Sequence, residues 1–177
     1  MIRMNALAIT SILTITSIAA GHDLAIAWGA DAFGETEVPP NQFFVQVTAG
    51  DYHTIGLLED GTALAWGDNN FGACDVPENE VFAAVDAGGF FSLGLRNDGT
   101  LIAWGNNSDG ECNVPNGVFI QISAGFEHAV ALKSDGTAVA WGNNSDGQCN
   151  VPFGEQFVQV CAGATHTVGL RPDGTAV

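Results

Sequence analysis

Hydrophobic and polar residues alternate along short stretches of this chain, then give way to clusters of turn formers. In "FVQVTAG", Val45, Val47 and Ala49 alternate with Phe44, Gln46 and Thr48. A period of two puts successive side chains on opposite faces, so this stretch predicts a strand. "HTIGLL", His53 to Leu58, predicts a second strand, and "TALAWG", Thr62 to Gly67, a third. Between them "EDGT" predicts a hairpin turn, because Asp-Gly tolerates positive φ. A loop of Asn, Asp, Ser and Gly follows. It leads to a last short edge segment that Val-Pro stops, since proline cannot donate to a ladder. No stretch beyond the N-terminal leader has a helical period.

This pattern recurs. Trp-Gly starts at Trp28, Trp66, Trp104 and Trp141, in steps of 38, 38 and 37. Ala-Gly starts at Ala49, Ala87, Ala124 and Ala162, Asp-Gly-Thr at Asp60, Asp98, Asp135 and Asp173, and Val-Pro ends at Pro39, Pro77, Pro115 and Pro152. "AWGNNSDGECNVP" from Ala103 is nearly repeated from Ala140. A unit this small cannot cover both its faces, so neighbouring units must stack on it. Antiparallel sheets repeated at this period predict an all-β β-propeller, one sheet per blade. The chain divides into a half unit (22–44), whole units (45–82, 83–119, 120–157) and a second half unit (158–177).

"AG…HTVGLRPDGTAV" and "AVAWGNNSDGQCNVP" resemble the repeats of the regulator of chromosome condensation family, most of all its short bacterial versions. The resemblance covers about Gly21 to Val177. It implies a propeller, usually of about seven blades. The nucleotide-exchange activity of the family's eukaryotic founder depends on a wedge inserted between strands. These compact units leave no room for one, so that activity is not carried over. The repeats are also similar to those of a propeller-type β-lactamase inhibitor, in which loops on one face clamp the partner.

About four repeats fall short of that ring. Three readings stay open: a stretch of a longer protein, a small ring or open arc whose two half units pair into one blade, or half of a dimer that closes a larger ring. At the N-terminus, Arg3, the apolar run Ala6 to Ile18 and the small residues Ser17 and Ala19 match a secretory signal peptide over 1–19, with the propeller over 20–177. Cleavage predicts a secreted, periplasmic or cell-surface protein, and retention of the leader a cytoplasmic one. No other segment is apolar enough to span a membrane.

Charge narrows the partners. Arg3, Arg96, Lys133 and Arg171 face twenty acidic residues, for a net charge of −16. Such a surface repels nucleic acid and anionic membrane, and favours a protein partner with a basic surface.

Candidate chemistry is sparse. His53, His128 and His166 share a slot that Phe91 fills in the other unit, so an aromatic body bonded to nearby backbone is expected there rather than a metal ligand. Cys74, Cys112, Cys149 and Cys161 form no C-x-x-C, and buried free thiols are expected. The Asn-rich loops lack the first and twelfth ligands of a calcium loop. No nucleophile, metalloprotease or phosphate-loop motif is present, and the carboxylates sit mainly in turns. No cofactor, metal or catalytic residue is assigned.

Constant slots keep a blade folded; varying slots are free to read a partner. The varying slots are two loops per unit. One, before the His slot, holds Asp51, Tyr52, Phe90, Phe126 and Glu127; the other, after Trp-Gly, holds Phe71, Ser108, Asp109, Ser145 and Asp146. Aromatic residues beside acids suit a binding hot spot with an acidic rim. The expectation is a non-catalytic protein-binding propeller, with a structural module of a larger surface protein as the alternative.

Overall fold

The computed structural model describes residues 25–177, and the leader with its expected cleavage site lies outside them. Every regular element among the described residues is a strand. β1 (Phe44–Ala49), β2 (His53–Leu58) and β3 (Ala63–Gly67) form one antiparallel sheet. β4 (Phe82–Ala87), β5 (Phe91–Arg96) and β6 (Leu101–Gly105) form the next, and β7 (Gln121–Ala124), β8 (His128–Leu132) and β9 (Ala138–Gly142) the third. β10 (Gln159–Ala162) and β11 (Thr167–Leu170) pair as a two-stranded sheet. The three predicted strands of the first whole unit thus lie where the alternation places them.

Each β2–β3-type hairpin is built by its Asp-Gly-Thr. Asp60 Oδ1 accepts from the Thr62 amide (2.9 Å) and hydroxyl (2.6 Å), while Gly61 turns the chain at φ +84°. The same carboxylate–threonine clasp recurs at Asp98 and Asp173.

The cores lie between sheets, not within them. Ile55, Leu57 and Ala63 of the first sheet pack against Phe82, Val85, Ala87 and Trp104 of the second. Phe91, Leu93 and Leu101 of the second meet Phe119, just ahead of β7, and Ile122 and Ala129 of the third, whose Val130 and Leu132 meet Phe157 and Val160. First strands contact first strands, in the order β1–β4–β7–β10, which sets them around one axis. Alternation therefore sorts side chains between the following and the preceding blade. That explains why polar Gln46 and Thr48 are buried while Val45 is exposed. Gln46 faces forward, donating to the Val85 carbonyl (2.6 Å) and accepting from its amide (3.2 Å). Val45 sits at a β-bulge between Phe44 and Gln46 and swings outward.

The expected edge segment before Val-Pro forms no strand. Its backbone is satisfied locally instead: Asn69 Oδ1 accepts from the Cys74 amide (2.8 Å), and Asn69 Nδ2 donates to Asp75 (2.8 Å). Among the described residues the two half units make no strand pairing with each other. Residues 25–29 form no strand and Trp28 is 85% exposed, where Trp104 is 8%. Each half has its own partner. Ala176 bridges to Leu170, while the Glu35 carbonyl accepts from Thr54 Oγ1 (3.1 Å) and Trp66 Nε1 (2.9 Å).

Candidate functional site

The histidine slot is a latch between blades. His53 Nε2 lies 2.9 Å from Ser92 Oγ on the next sheet, and Ser92 Oγ donates to the Ala73 carbonyl at 2.7 Å. The hydroxyl spends its only hydrogen on that carbonyl, so the imidazole must donate and carries its proton on Nε2. His128 repeats this with Thr167 Oγ1 (3.0 Å), which donates to the Gln148 carbonyl (2.8 Å). The partner is thus a hydroxyl one blade away, not the neighbouring backbone that the sequence led us to expect. Where Phe91 fills the slot, the next sheet presents Ala129, which has no hydroxyl to leave unpaired. Burial pushes the His53 pKa down to about 4, against a small upward pull from Asp68. His128 is also lowered, mainly by burial, and its buried Nδ1 has no partner. Both rings lie against the Ala-Gly glycines: a Cβ on Gly50 or Gly125 would overlap the ring and the next blade's backbone.

The candidate partner-binding residues lie at one end of the sheets. Loops between first and second strands, and loops after third strands, emerge together there. They are tied by bonds from the Asp68 amide to the Tyr52 carbonyl (2.7 Å), Asn106 to Phe90 (2.9 Å) and Asn143 to Glu127 (2.8 Å). Four of the candidates form one aromatic strip across three units. Tyr52 stacks on Phe90 with centroids 5.1 Å apart, and Phe90 meets Phe71 (5.3 Å) and Phe126 (5.9 Å) edge to face. Phe33 extends the strip from the first half unit, 5.7 Å from Tyr52. Phe71 is 54% exposed, Phe33 48% and Tyr52 37%.

The polar candidates divide. Asp51 is exposed beside Tyr52 and borders the axial cavity. Glu127 and Asp109, from different units, converge on Asn143 Nδ2 at 3.1 and 3.4 Å. Ser145 is turned inward onto Asn143 Oδ1 (2.8 Å), and Ser108 accepts from Asn106 (3.0 Å). The Asp146 amide donates to Gln148. Ser108, Ser145 and Asp146 thus shape their own loops, while Asp51, Asp109 and Glu127 set the charge of the face.

Sequence reasoning did not single out Asp86. It lines an open cavity of about 290 Å³ at the axis, with residues from all four sheets. Its carboxylate accepts from Thr48 Oγ1 (2.5 Å), Ala124 N (2.9 Å) and Ala87 N (3.1 Å), and burial raises its pKa. The one signal for it was a slot that reads Thr48, Asp86, Ser123 and Cys161 between constant neighbours.

The four cysteines are free and half-buried. Burial first, then nearby carboxylates, pushes Cys74 and Cys112 up to about 11, so these thiols stay protonated at neutral pH. Among the described residues no group of three or more His, Cys, Asp or Glu is placed to hold a metal ion, and no helix is long and apolar enough to cross a membrane.

Comparison with known proteins places this geometry. The model described as the regulator of chromosome condensation (RCC1) repeat matches residues 44–73, 82–111 and 119–148. None of the curated proteins matches the chain. The WD40 ectodomain of the receptor kinase ACR4 from Arabidopsis thaliana is similar at 25% identity and a TM-score of 0.76, over 89% of this chain and 63% of its own. The ectodomain of the receptor kinase CR4 from Physcomitrella patens is 29% identical, with a TM-score of 0.72, over 82% and 43%. Prp20p from Saccharomyces cerevisiae, described with its binding to Gsp1p and histones, shares the fold at 20% identity and a TM-score of 0.67, over 80% and 50%. The chain thus spans less than two thirds of each of these structures.

Proposed function

Because this chain belongs to the regulator of chromosome condensation (RCC1) repeat family, we propose that it is a non-catalytic propeller module that binds a protein through the loop face. The observation that carries this reading is the aromatic strip. Rings from successive units touch one another, and Phe33, Tyr52 and Phe71 remain exposed around the half-buried Phe90. The second and third sheets place Asp109 and Asp146 at the position of Phe71 and form the same three strands. The partner is a protein with a basic surface, held by Tyr52, Phe71, Phe90 and Phe126 within the charged frame of Asp51, Asp109 and Glu127. Prp20p, similar in fold, is described with protein partners, and the two receptor ectodomains support an extracellular setting.

The test compares faces. A photo-crosslinker at Phe71 should capture a protein in the native setting, and one at Val118, 63% exposed at the other end of the sheets, should not. With the crosslinker kept at position 71, Phe33→Ala with Tyr52→Ala should abolish the capture without moving the melting temperature. Capture from Val118 alone would overturn the reading.

The second reading is a structural module of a larger surface protein. It is favoured by the 63% share of the ACR4 ectodomain that this chain covers. In that case neither crosslinker captures a separate protein.

A further inference from the structure

Charge is segregated along the strands. The described cations all lie at the hairpin end: Arg96 closes β5, Lys133 follows β8 and Arg171 follows β11. There they are engaged locally. Arg96 binds Glu80 and Arg171 binds Glu155, each at 2.6 Å, and Lys133 lies over the Phe119 ring at 5.8 Å. The loop end has no cation among the described residues. It carries Asp51, Asp68, Asp109 and Glu127 around the aromatic strip. The strip therefore offers the exposed rings of Phe33, Tyr52 and Phe71 in a field of negative charge that no cation among the described residues of the loop end neutralises.

A flat cation that stacks on rings and pairs with carboxylates fits both properties at once. Guanidinium does so better than ammonium, because it is planar, weakly hydrated and bidentate toward carboxylate. We propose that the strip from Phe33 through Tyr52 and Phe90 to Phe71 is a docking site for arginine side chains of an extended segment of the partner protein. This deepens the loop-face reading and rests on it. A nucleic acid is excluded as occupant by the same carboxylates. A purely apolar partner would gain nothing from the charge frame.

The probe is a short peptide alternating arginine and serine, compared by calorimetry with the same peptide carrying neutral citrulline. The arginine peptide should bind the full-length protein, and the citrulline peptide about tenfold more weakly or less. Phe71→Leu and Tyr52→Leu, which keep the apolar volume but remove the ring, should each weaken the arginine peptide several-fold. Val118→Ala at the far end should leave it unchanged. Phe71 is the most exposed of the rings, so Phe71→Leu reads the site even if Tyr52→Leu disturbs the fold.

Equal binding of the arginine and citrulline peptides would overturn the inference while leaving an apolar loop-face site standing. Equal binding by the leucine variants would overturn it as well, showing attraction by charge without the rings. If the arginine peptide fails to bind although crosslinking at Phe71 still captures a protein, the inference falls and the loop-face reading survives. Failure of both removes the two together.

Discussion

His53 shows how much one side chain can decide. Its imidazole is buried, donates through Nε2, and meets a hydroxyl whose hydrogen is already committed. A second ring proton would enter a packed, water-poor site, hence a pKa of about 4 against an ordinary 6.5. The unfolded chain binds this proton between those values and the folded chain does not. Stability is therefore full above about pH 6.5 and falls as the pH drops towards 4, by roughly 3 kcal/mol for this group. Urea midpoints measured across that window should show the slope. The paired change His53→Phe with Ser92→Ala copies the Phe91–Ala129 pair and should reduce the slope, leaving the share that His128 contributes. The latch was only half legible in the sequence. The recurring His/Phe slot was visible, but its partner lies 39 residues on, in a slot of unremarked Thr, Ser and Ala. A side chain's partner in a stacked fold is set by the neighbouring unit and not by the residues beside it in sequence.

At the scale of the element, the strands were readable because period-two alternation and Asp-Gly-Thr are both local signals. The segment before Val-Pro was misread as an edge strand because its asparagines satisfy the backbone by side-chain bonds, which alternation does not report. Turn glycines sort into two kinds. Gly99 has φ +83°, and a Cβ there would press on Val118 Cγ1 at 2.6 Å; Gly154 has φ +80° and open space around it. Gly154→Ala should cost about 1 kcal/mol, the price of a left-handed alanine. Gly99→Ala should cost about 2–3 kcal/mol, because the next blade must also shift. Thermal melts of the two variants, side by side, separate conformational from steric cost. The aromatic strip is legible to the same degree as the latch: Tyr52, Phe71, Phe90 and Phe126 stood out as varying residues, but their contact depends on loops of successive units emerging at one end.

At the scale of the whole molecule, junctions hold the described residues together, since their three hydrophobic core clusters are each shared by neighbouring units. Ile55→Ala, in the fully buried first junction, should cost about 2–4 kcal/mol. The loss should stay near its origin, as in other arrays held by nearest-neighbour contacts. Hydrogen exchange should accelerate in β1–β6 and remain close to wild type in β8 and β9. Uniform acceleration throughout would mean that the sheets unfold as one unit.

The split latch also bears on how such a gene can be rearranged. Each repeat carries the histidine side of one junction and the hydroxyl side of another. Read in order, the slots give His53 with Ser92, Phe91 with Ala129, and His128 with Thr167. Exchanging the second and third repeats would set His53 against Ala129 and Phe91 against Thr167. One ring would lose its acceptor and one hydroxyl its donor. Recombination between near-identical repeats is easy at the level of DNA, but here it would yield mismatched neighbours unless both slots mutated together. The repeats look interchangeable and are not: their order is recorded in pairs of residues that no single repeat contains.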